Sequence, residues 1–249
     1  MRDRLILLPG WGLGVSPLEP LAAALRGLDE HLQVQIEPLP DVESDDLQEW
    51  LDELDSTLPQ DAWLGGWSLG GMLAAELAAR RGDHCCGLLT FASNASFVAF
   101  SRWTHGMHEE DYLAFLNGCR LDPGATLQRF SLLCAPGSAA PRSLARLLLA
   151  AAPKTPAPVL LGGLELLGRL NTRQALPDFQ GPQLHLFAGL DGLVPAEAAG
   201  ELFALLPDVE IGRIEQAGHA FLLEDPHGVA GAITAFLPAS GRGWFIPVL

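Results

Sequence analysis

The sequence is poor in cysteine and in positive charge, and it has no long apolar run. Only four of its 249 residues are cysteine, and 15 basic residues face 30 acidic ones, which leaves a net charge of −15. This balance argues against a nucleic-acid partner, because phosphate binding needs a basic face. No apolar run approaches the roughly 18 residues of a membrane span. We therefore expect no association with a membrane.

The few cysteines indicate neither a disulfide framework nor a metal site. No CxxC pair occurs, and the adjacent Cys85 and Cys86 are poorly spaced to bridge each other. We interpret these two, together with Cys119 and Cys134, as small buried apolar residues in a reducing compartment. The apolar run at residues 5–8 is too short for the core of a signal peptide. We accordingly expect a cytoplasmic protein.

Short β-type runs alternate with longer helical patterns along most of the chain. Strands are predicted at residues 5–8, 32–36, 62–65, 86–92, 183–188 and 210–215, and helices at 20–28, 45–58, 71–81 and 226–236. Such alternation is typical of an α/β protein with a mostly parallel sheet flanked by helices.

The alternation stops between residues 96 and 175, which we call the inserted segment. Only helical patterns occur there, such as those at residues 111–116 and 141–151, and a proline-rich link follows at 153–158. We interpret the inserted segment as a helical lid over the carboxyl edge of the sheet, where open α/β sheets bind their ligands. The predicted core then comprises residues 1–95 and 176–249.

The G-x-S-x-G pattern of a nucleophile elbow occurs at Gly66-Trp67-Ser68-Leu69-Gly70. The pattern alone is weak, but a predicted strand leads into it and an alanine-rich helix leads out. This arrangement lifts the serine hydroxyl above the sheet and places it near a helix N-terminus, which favours developing negative charge. The sequence therefore predicts Ser68 as a nucleophile.

A serine nucleophile needs a base and an orienting acid. His219 follows the sixth predicted strand, on a loop with a flexible glycine, and Asp191 follows the fifth strand. The end of the fourth strand, at residues 92–94, offers no acid, and His185 alternates within a strand, which favours a structural role. The chain order serine, aspartate, histidine is that of the α/β hydrolases.

The loop after the first strand, Pro9-Gly10-Trp11-Gly12, can direct backbone N–H groups toward a developing oxyanion. The N–H of Leu69 would be their partner. A glycine-rich turn is nonspecific by itself. Together with the elbow, the acid and the base, it predicts a serine hydrolase.

Four segments resemble those of the α/β-hydrolase superfamily and, more narrowly, of the pimeloyl-(acyl-carrier protein) methyl ester esterases. They are Gly10-Trp11-Gly12, Gly66-Trp67-Ser68-Leu69-Gly70-Gly71, Leu161-Gly162-Gly163-Leu164-Glu165-Leu166-Leu167 and Leu190-Asp191-Gly192-Leu193-Val194-Pro195. The resemblance implies the α/β-hydrolase fold, with the helical lid inserted after the fourth predicted strand. It implies a catalytic triad of Ser68, Asp191 and His219, and an oxyanion hole formed by the amides of Trp11 and Leu69.

Two features of the chain depart from this family pattern. Many relatives carry histidine at the position of Pro9, a difference that bears on the support of the loop rather than on the reaction. The tail at residues 238–249 has no recognised counterpart.

The resemblance also implies a function in biotin synthesis. The enzyme would remove the methyl group from the methyl ester of pimeloyl-acyl carrier protein, which frees a carboxylate. No metal or organic cofactor is implied. The expected partners are the acyl carrier protein that bears the substrate and small esters, and we expect a monomer.

Basic residues are concentrated in the inserted segment. Between residues 120 and 173 seven basic residues face two acidic ones, a net charge of +5, whereas the rest of the chain carries −20. Since acyl carrier proteins are acidic, such a surface could steer one toward the enzyme. The predicted docking residues are Arg142, Arg146, Lys154 and Arg169. The alternative is an ordinary solvated helix face.

Three other functions remain open from the sequence. The same triad serves a general esterase of short free esters, and it serves a C–C bond hydrolase that acts on ring-cleavage products. A non-catalytic receptor with the same fold would retain the pocket but turn over slowly or not at all. Covalent labelling by a fluorophosphonate separates an enzyme from a receptor.

Overall fold

The computed structural model describes residues 4–237, and the tail singled out in the sequence lies outside the described residues. The strands are β1 (Arg4–Leu8), β2 (Gln33–Ile36), β3 (Ala62–Trp67), β4 (Cys85–Phe91), β5 (Gln183–Ala188) and β6 (Glu210–Ile214). They form one sheet in the order β2-β1-β3-β4-β5-β6, and each neighbouring pair is parallel. The predicted α/β architecture is confirmed.

Helices cover the sheet and extend beyond it. They are α1 (Glu19–Leu28), α2 (Leu47–Thr57), α3 (Leu69–Arg81), α4 (Glu109–Leu121), α5 (Pro123–Leu133), α6 (Pro141–Ala151), α7 (Ala157–Arg169), α8 (Ala175–Asp178), α9 (Ala198–Leu205), α10 (Phe221–Glu224) and α11 (Pro226–Phe236). Helix α1 packs against α11, whereas α3 packs against α2 and α8. None of these helices, over residues 4–237, is both long and apolar enough to cross a membrane.

The inner strands of the sheet are buried because helices cover the sheet on both faces, whereas the edge strands β2 and β6 are partly exposed. Every residue of β3 and of β5 is buried, as are the last four residues of β1. Parallel strands that are covered on both faces are recognised as nearly continuous apolar runs. This explains why the runs in the sequence located the strands to within one or two residues.

The strand order creates a crevice at the carboxyl edge between β1 and β3. From β1 the chain moves to β2 on one side, and from β3 it moves to β4 on the other. Loops that leave neighbouring strands in opposite directions open such a crevice, where ligands of open α/β sheets bind. The register pairs Leu8 with Gly66, so the loop after β1 begins beside the turn that follows β3.

Helices α4 to α7 of the inserted segment form a compact group between β4 and β5. Helix α5 packs against α4, α6 and α7, and α4 also packs against α7. The prediction that this segment is only helical was wrong at its start, where short β-bridges pair Val98 with Met107 and Phe100 with Trp103. The predicted proline-rich link is also shorter than expected, since α7 begins at Ala157. Proline is well tolerated in the first turn of a helix.

Candidate active site

Ser68 occupies a strained turn between β3 and α3. Its backbone angles are φ 56° and ψ −120°, outside the ordinary regions for a residue with a side chain. The turn is tight, because a Cβ on Gly66 would overlap the backbone of Gly70. The amide of Ser68 donates to the carbonyl of Phe91 at 2.9 Å, and the carbonyl of Ser68 accepts from the hydroxyl of Ser93 at 2.9 Å. The turn therefore has the geometry of a nucleophile elbow.

Two segments with backbone N–H groups lie next to Ser68, the first turn of α3 and the loop after β1. Leu69 begins α3, so its amide is one of the first-turn donors without a partner inside the helix. The loop after β1 passes close by, since a Cβ on Gly10 would lie 3.4 Å from the Cβ of Ser68. Trp11 is the next residue in this loop. These donors and the positive end of the helix dipole suit a developing oxyanion.

The Trp11 side chain ties the loop after β1 to the inserted segment. Its indole Nε1 donates to the carbonyl of Leu160 on α7 at 2.8 Å. Its ring meets Phe115 and Phe130 edge-on, with centroids 5.7 and 5.2 Å away. Such buried aromatic pairs fix both partners. The position of the candidate oxyanion loop thus depends on helices of the inserted segment.

Asp191 and His219 lie in direct contact below the inserted segment. The Nδ1 of His219 lies 2.8 Å from Oδ2 and 3.0 Å from Oδ1 of Asp191, and both side chains are fully buried. Oδ1 also accepts from the amides of Leu193 at 2.8 Å and Val194 at 3.0 Å. These amides hold the Asp191 carboxylate in place. The carboxylate in turn favours the tautomer of His219 that carries its proton on Nδ1.

The other ring nitrogen of His219 is left as a hydrogen-bond acceptor. Among residues 4–237, Nε2 of His219 is the buried side-chain atom that has no hydrogen-bond partner. Buried polar atoms normally have a partner, and an exception in a native fold calls for a functional explanation. An imidazole with a bound carboxylate on one side and an open lone pair on the other is the arrangement of a general base.

Sequence reasoning missed two aromatic residues that hold the His219 loop. Trp67, the residue before the nucleophile, donates from Nε1 to the carbonyl of His219 at 2.9 Å, and its ring lies 5.7 Å from the imidazole. Phe130 on α5 lies 6.5 Å from the imidazole in an edge-on arrangement. Trp67 lies within the segment at residues 66–71 that carries the family resemblance, but neither its role nor its partner 152 residues away could be read from the sequence.

Three of the four cysteines are buried and are poor nucleophiles in this fold, whereas Cys86 is only partly buried, unlike the expectation from the sequence. Burial raises the pKa of the Cys85 thiol to about 11, and burial also raises the pKa values of Cys119 and Cys134. Thiols need to ionise before they attack. The structure thus gives these three cysteines no nucleophilic role, in line with their interpretation as small apolar residues.

A cavity of about 300 Å³ lies beside the candidate oxyanion loop. Apolar side chains form much of its wall, among them Trp11, Leu13 and Trp50, and the link before α7 covers one side of it. Lys154 also lines this cavity. Ser68 is only 3% exposed and lies outside the lining of this cavity.

The predicted docking residues fall into two groups. Arg142 and Arg146 are exposed on α6, and Lys154 is exposed on the link that follows it. Arg169 instead forms an ion pair with Asp45, so its charge is offset locally. Arg129, an exposed residue of α5 that was not among the docking predictions, lies on the helix that packs against α6.

No group of three or more His, Cys, Asp or Glu side chains that could hold a metal ion occurs within residues 4–237.

The family model of the alpha/beta hydrolase family matches residues 5–232. A pimeloyl-(acyl-carrier protein) methyl ester esterase of Aromatoleum aromaticum is 35% identical over 242 residues, which cover 92% of this chain and 96% of that protein. The bifunctional biotin biosynthesis protein BioHC of Teredinibacter turnerae is 33% identical over 95% of this chain. The chain spans only 45% of the length of that relative.

Solved structures share the fold at low sequence identity. The esterase EaEST of Exiguobacterium antarcticum has a TM-score of 0.80 at 16% identity, with 94% of this chain and 91% of that chain covered. A bromoperoxidase of Bacillus anthracis has a TM-score of 0.79 at 17% identity, with 95% of this chain and 92% of that chain covered. At these identities the likeness concerns the fold alone.

Proposed function

Given that this chain belongs to the α/β-hydrolase family, we propose that it hydrolyses the methyl ester of pimeloyl-acyl carrier protein, a step of biotin synthesis. The observation that carries the chemistry is the buried Asp191–His219 pair, whose Nε2 is open on the side away from the carboxylate. The carrier substrate is proposed from the relatives that bear this activity in their names. Ester hydrolysis by a serine enzyme is what the family and the elbow support together.

In the proposed reaction Ser68 attacks the ester carbonyl. Nε2 of His219 takes the hydroxyl proton, and Asp191 stabilises the imidazolium that forms. The tetrahedral oxyanion accepts hydrogen bonds from the amides of Trp11 and Leu69. Collapse of this intermediate breaks the bond to the methoxy oxygen, which leaves as methanol with the proton from Nε2.

Hydrolysis of the acyl-enzyme completes the cycle. A water molecule gives its proton to Nε2 of His219 and attacks the acyl carbonyl. When the second tetrahedral intermediate collapses, Nε2 of His219 returns the proton to the oxygen of Ser68, and the product leaves as a carboxylic acid that ionises in water. The two half-reactions use the same base and the same oxyanion donors.

The exposed face of α5 and α6 supports docking of an acidic carrier. It presents Arg129, Arg142 and Arg146 together with two exposed leucines, Leu132 at 54% and Leu147 at 51%. Basic side chains around apolar anchors suit a partner whose surface is acidic with apolar spots. Because Arg169 already pairs with Asp45, we place the docking face on α5, α6 and Lys154.

The substrate offers two cleavable bonds, and this gives a sharp test. The carrier-bound methyl ester contains an oxygen ester at one end of the acyl chain and a thioester to the carrier at the other. The expected products are methanol and a free carboxylate on a chain still attached to its carrier, identified by mass spectrometry of the intact carrier. Release of the whole acyl chain from the carrier would instead make the protein a thioesterase. If the protein does not turn over this substrate at all, a general esterase becomes the better interpretation.

A further inference from the structure

The turn between α5 and α6, at residues 134–140, packs directly on the two loops that carry Asp191 and His219. Gly137 of this turn has a φ of 81°. A Cβ on Gly137 would lie 2.8 Å from the Cβ of Leu190 and 2.9 Å from the amide nitrogen of Gly218. These distances leave no room for a side chain, so the turn lies against the Leu190 side chain of one loop and the backbone at residues 217–218 of the other.

Two glycines face the turn from the other side of this contact. A Cβ on Gly218, the residue before His219, would overlap the carbonyl oxygen of Pro136. A Cβ on Gly192, the residue after Asp191, would lie 3.0 Å from the carbonyl oxygen of Leu133 and 3.2 Å from Cγ of Pro136. The turn and the two loops thus fit together through glycines that flank the acid and the base.

Further contacts make the three segments one packed unit. The amide of Leu190 donates to the carbonyl of Ala217 at 2.9 Å, which joins the two loops. The hydroxyl of Ser138 donates to Oε1 of Glu224, just beyond His219, at 2.6 Å. Phe130, near the end of α5, lies beside the imidazole itself.

We propose that Gly192 and Gly218 are positioning residues, and that the α5–α6 turn presses on them to keep Asp191 and His219 aligned. The turn touches neither the substrate nor the reacting atoms. It acts through the two loops, in addition to the hydrogen bond from Trp67 to the carbonyl of His219. Small displacements of catalytic groups cost large factors in rate. The inference rests on the proposed triad and not on the proposed carrier substrate.

A graded series of alanine variants tests this packing with a small free ester. Gly218→Ala creates the most severe overlap and should lower kcat by about 100-fold, whereas the milder Gly192→Ala should lower it by about ten-fold. KM should stay within about three-fold for both, because neither glycine lines the cavity beside the candidate oxyanion loop. Gly231→Ala is the matched control, since a Cβ there meets no atom within 4 Å. It should leave kcat within about two-fold of that of the parent protein.

A compensating change separates positioning from general damage. Pro136→Ala removes the ring atom 3.2 Å from a Cβ on Gly192 but leaves the carbonyl oxygen of Leu133 at 3.0 Å. The double variant Gly192→Ala, Pro136→Ala should therefore recover part of the lost kcat, about three-fold over Gly192→Ala alone. Circular dichroism and the unfolding temperature show whether each variant is folded. Gly192→Ala keeps the inference testable if Gly218→Ala does not fold.

Two results would overturn the inference. One is a folded Gly192→Ala variant that retains the parent kcat, and the other is a loss that Pro136→Ala does not relieve. Failure of the carrier substrate alone leaves this test intact, because the free ester and fluorophosphonate labelling report on the triad directly. Full activity of Ser68→Ala would refute the triad itself and would be distinguishable from either result.

Discussion

Strands of the sheet lead straight into the loops that carry Ser68, Asp191 and His219, whereas in the inserted segment four helices pack on one another and present arginine and leucine to solvent. The first region is acidic in sequence and the second is basic. We assign the chemistry to the first region and the choice of partner to the second. The α5–α6 turn of the inserted segment packs on the loops that carry Asp191 and His219, so the two regions are not independent.

The largest effect should follow a change in the sheet region. Ser68→Ala removes the proposed nucleophile and should lower kcat by about 10⁴–10⁶ on any ester, as in triads whose members act as a unit. Steady-state hydrolysis and fluorophosphonate labelling measure this loss. Turnover at the parent rate would show that the chemistry lies elsewhere.

A smaller and substrate-dependent effect should follow a change in the inserted segment. The double variant Arg142→Glu, Arg146→Glu reverses the charge of the proposed docking face. It should lower kcat/KM for the carrier-bound ester by about ten-fold at low salt, because charges at the rim of an interface mainly govern encounter. Activity on a free ester should stay within about two-fold, and rising salt should shrink the difference, since exposed charges are screened beyond ~8 Å.

The two substrates make this second prediction interpretable. Equal losses on both would indicate a damaged inserted segment rather than a lost docking face. Unchanged rates on both would make the basic surface an ordinary solvated helix face.

A third change should affect stability without affecting the chemistry. Burial raises the pKa of Glu76 on α3 from 4.5 to about 7. The folded state therefore holds this proton more tightly, and stability is lost as pH rises from 4.5 through 7. Glu76→Gln should raise the free energy of unfolding at pH 8 by about 1–2 kcal/mol, after allowance for its partial exposure.

The same variant should have little effect on stability at pH 4, where the glutamate is already protonated. Urea unfolding at both pH values measures the difference. Glu53→Gln, at an exposed position on α2, is the control and should show no such pH dependence. A Glu76→Gln variant with the parent stability at pH 8 would contradict the burial argument.

The smallest catalytic effect should come from the cysteines. Replacement of all four by alanine should leave kcat within about two-fold, because burial keeps three of these thiols protonated. Some loss of stability is expected at the buried sites. If a thiol-selective reagent abolished the activity of the folded parent protein, one of the cysteines would have to be counted among the residues of the active site.

The sequence predicts the sheet better than the contacts between distant segments. Strand β5 and helix α11 have their predicted bounds, because alternating apolar residues in a strand and a proline at a helix start are local signals. Helix α9 was missed, since its alanines and Gly200 give no clear amphipathic period. The elbow at Ser68 was visible because its glycines lie within five residues of one another.

The contacts that the sequence did not predict are between residues that meet only after folding. The pairing of Arg169 with Asp45 joins positions 124 residues apart and removes one predicted docking charge. Gly218 was noted only as a flexible neighbour of His219. In the structure its lack of a side chain is required by Pro136 on the inserted segment. Periodicity and motif spacing carry no information on such contacts.

The sheet region supplies the proposed esterase chemistry, and we propose that the inserted segment directs it to a carrier. The most direct measurement is kcat/KM for the carrier-bound pimeloyl methyl ester against that for a free short-chain methyl ester, with the same preparation at low and at high salt. We predict a clear preference for the carrier-bound ester at low salt that declines as salt rises. Equal values for the two substrates at every salt concentration would contradict the claim.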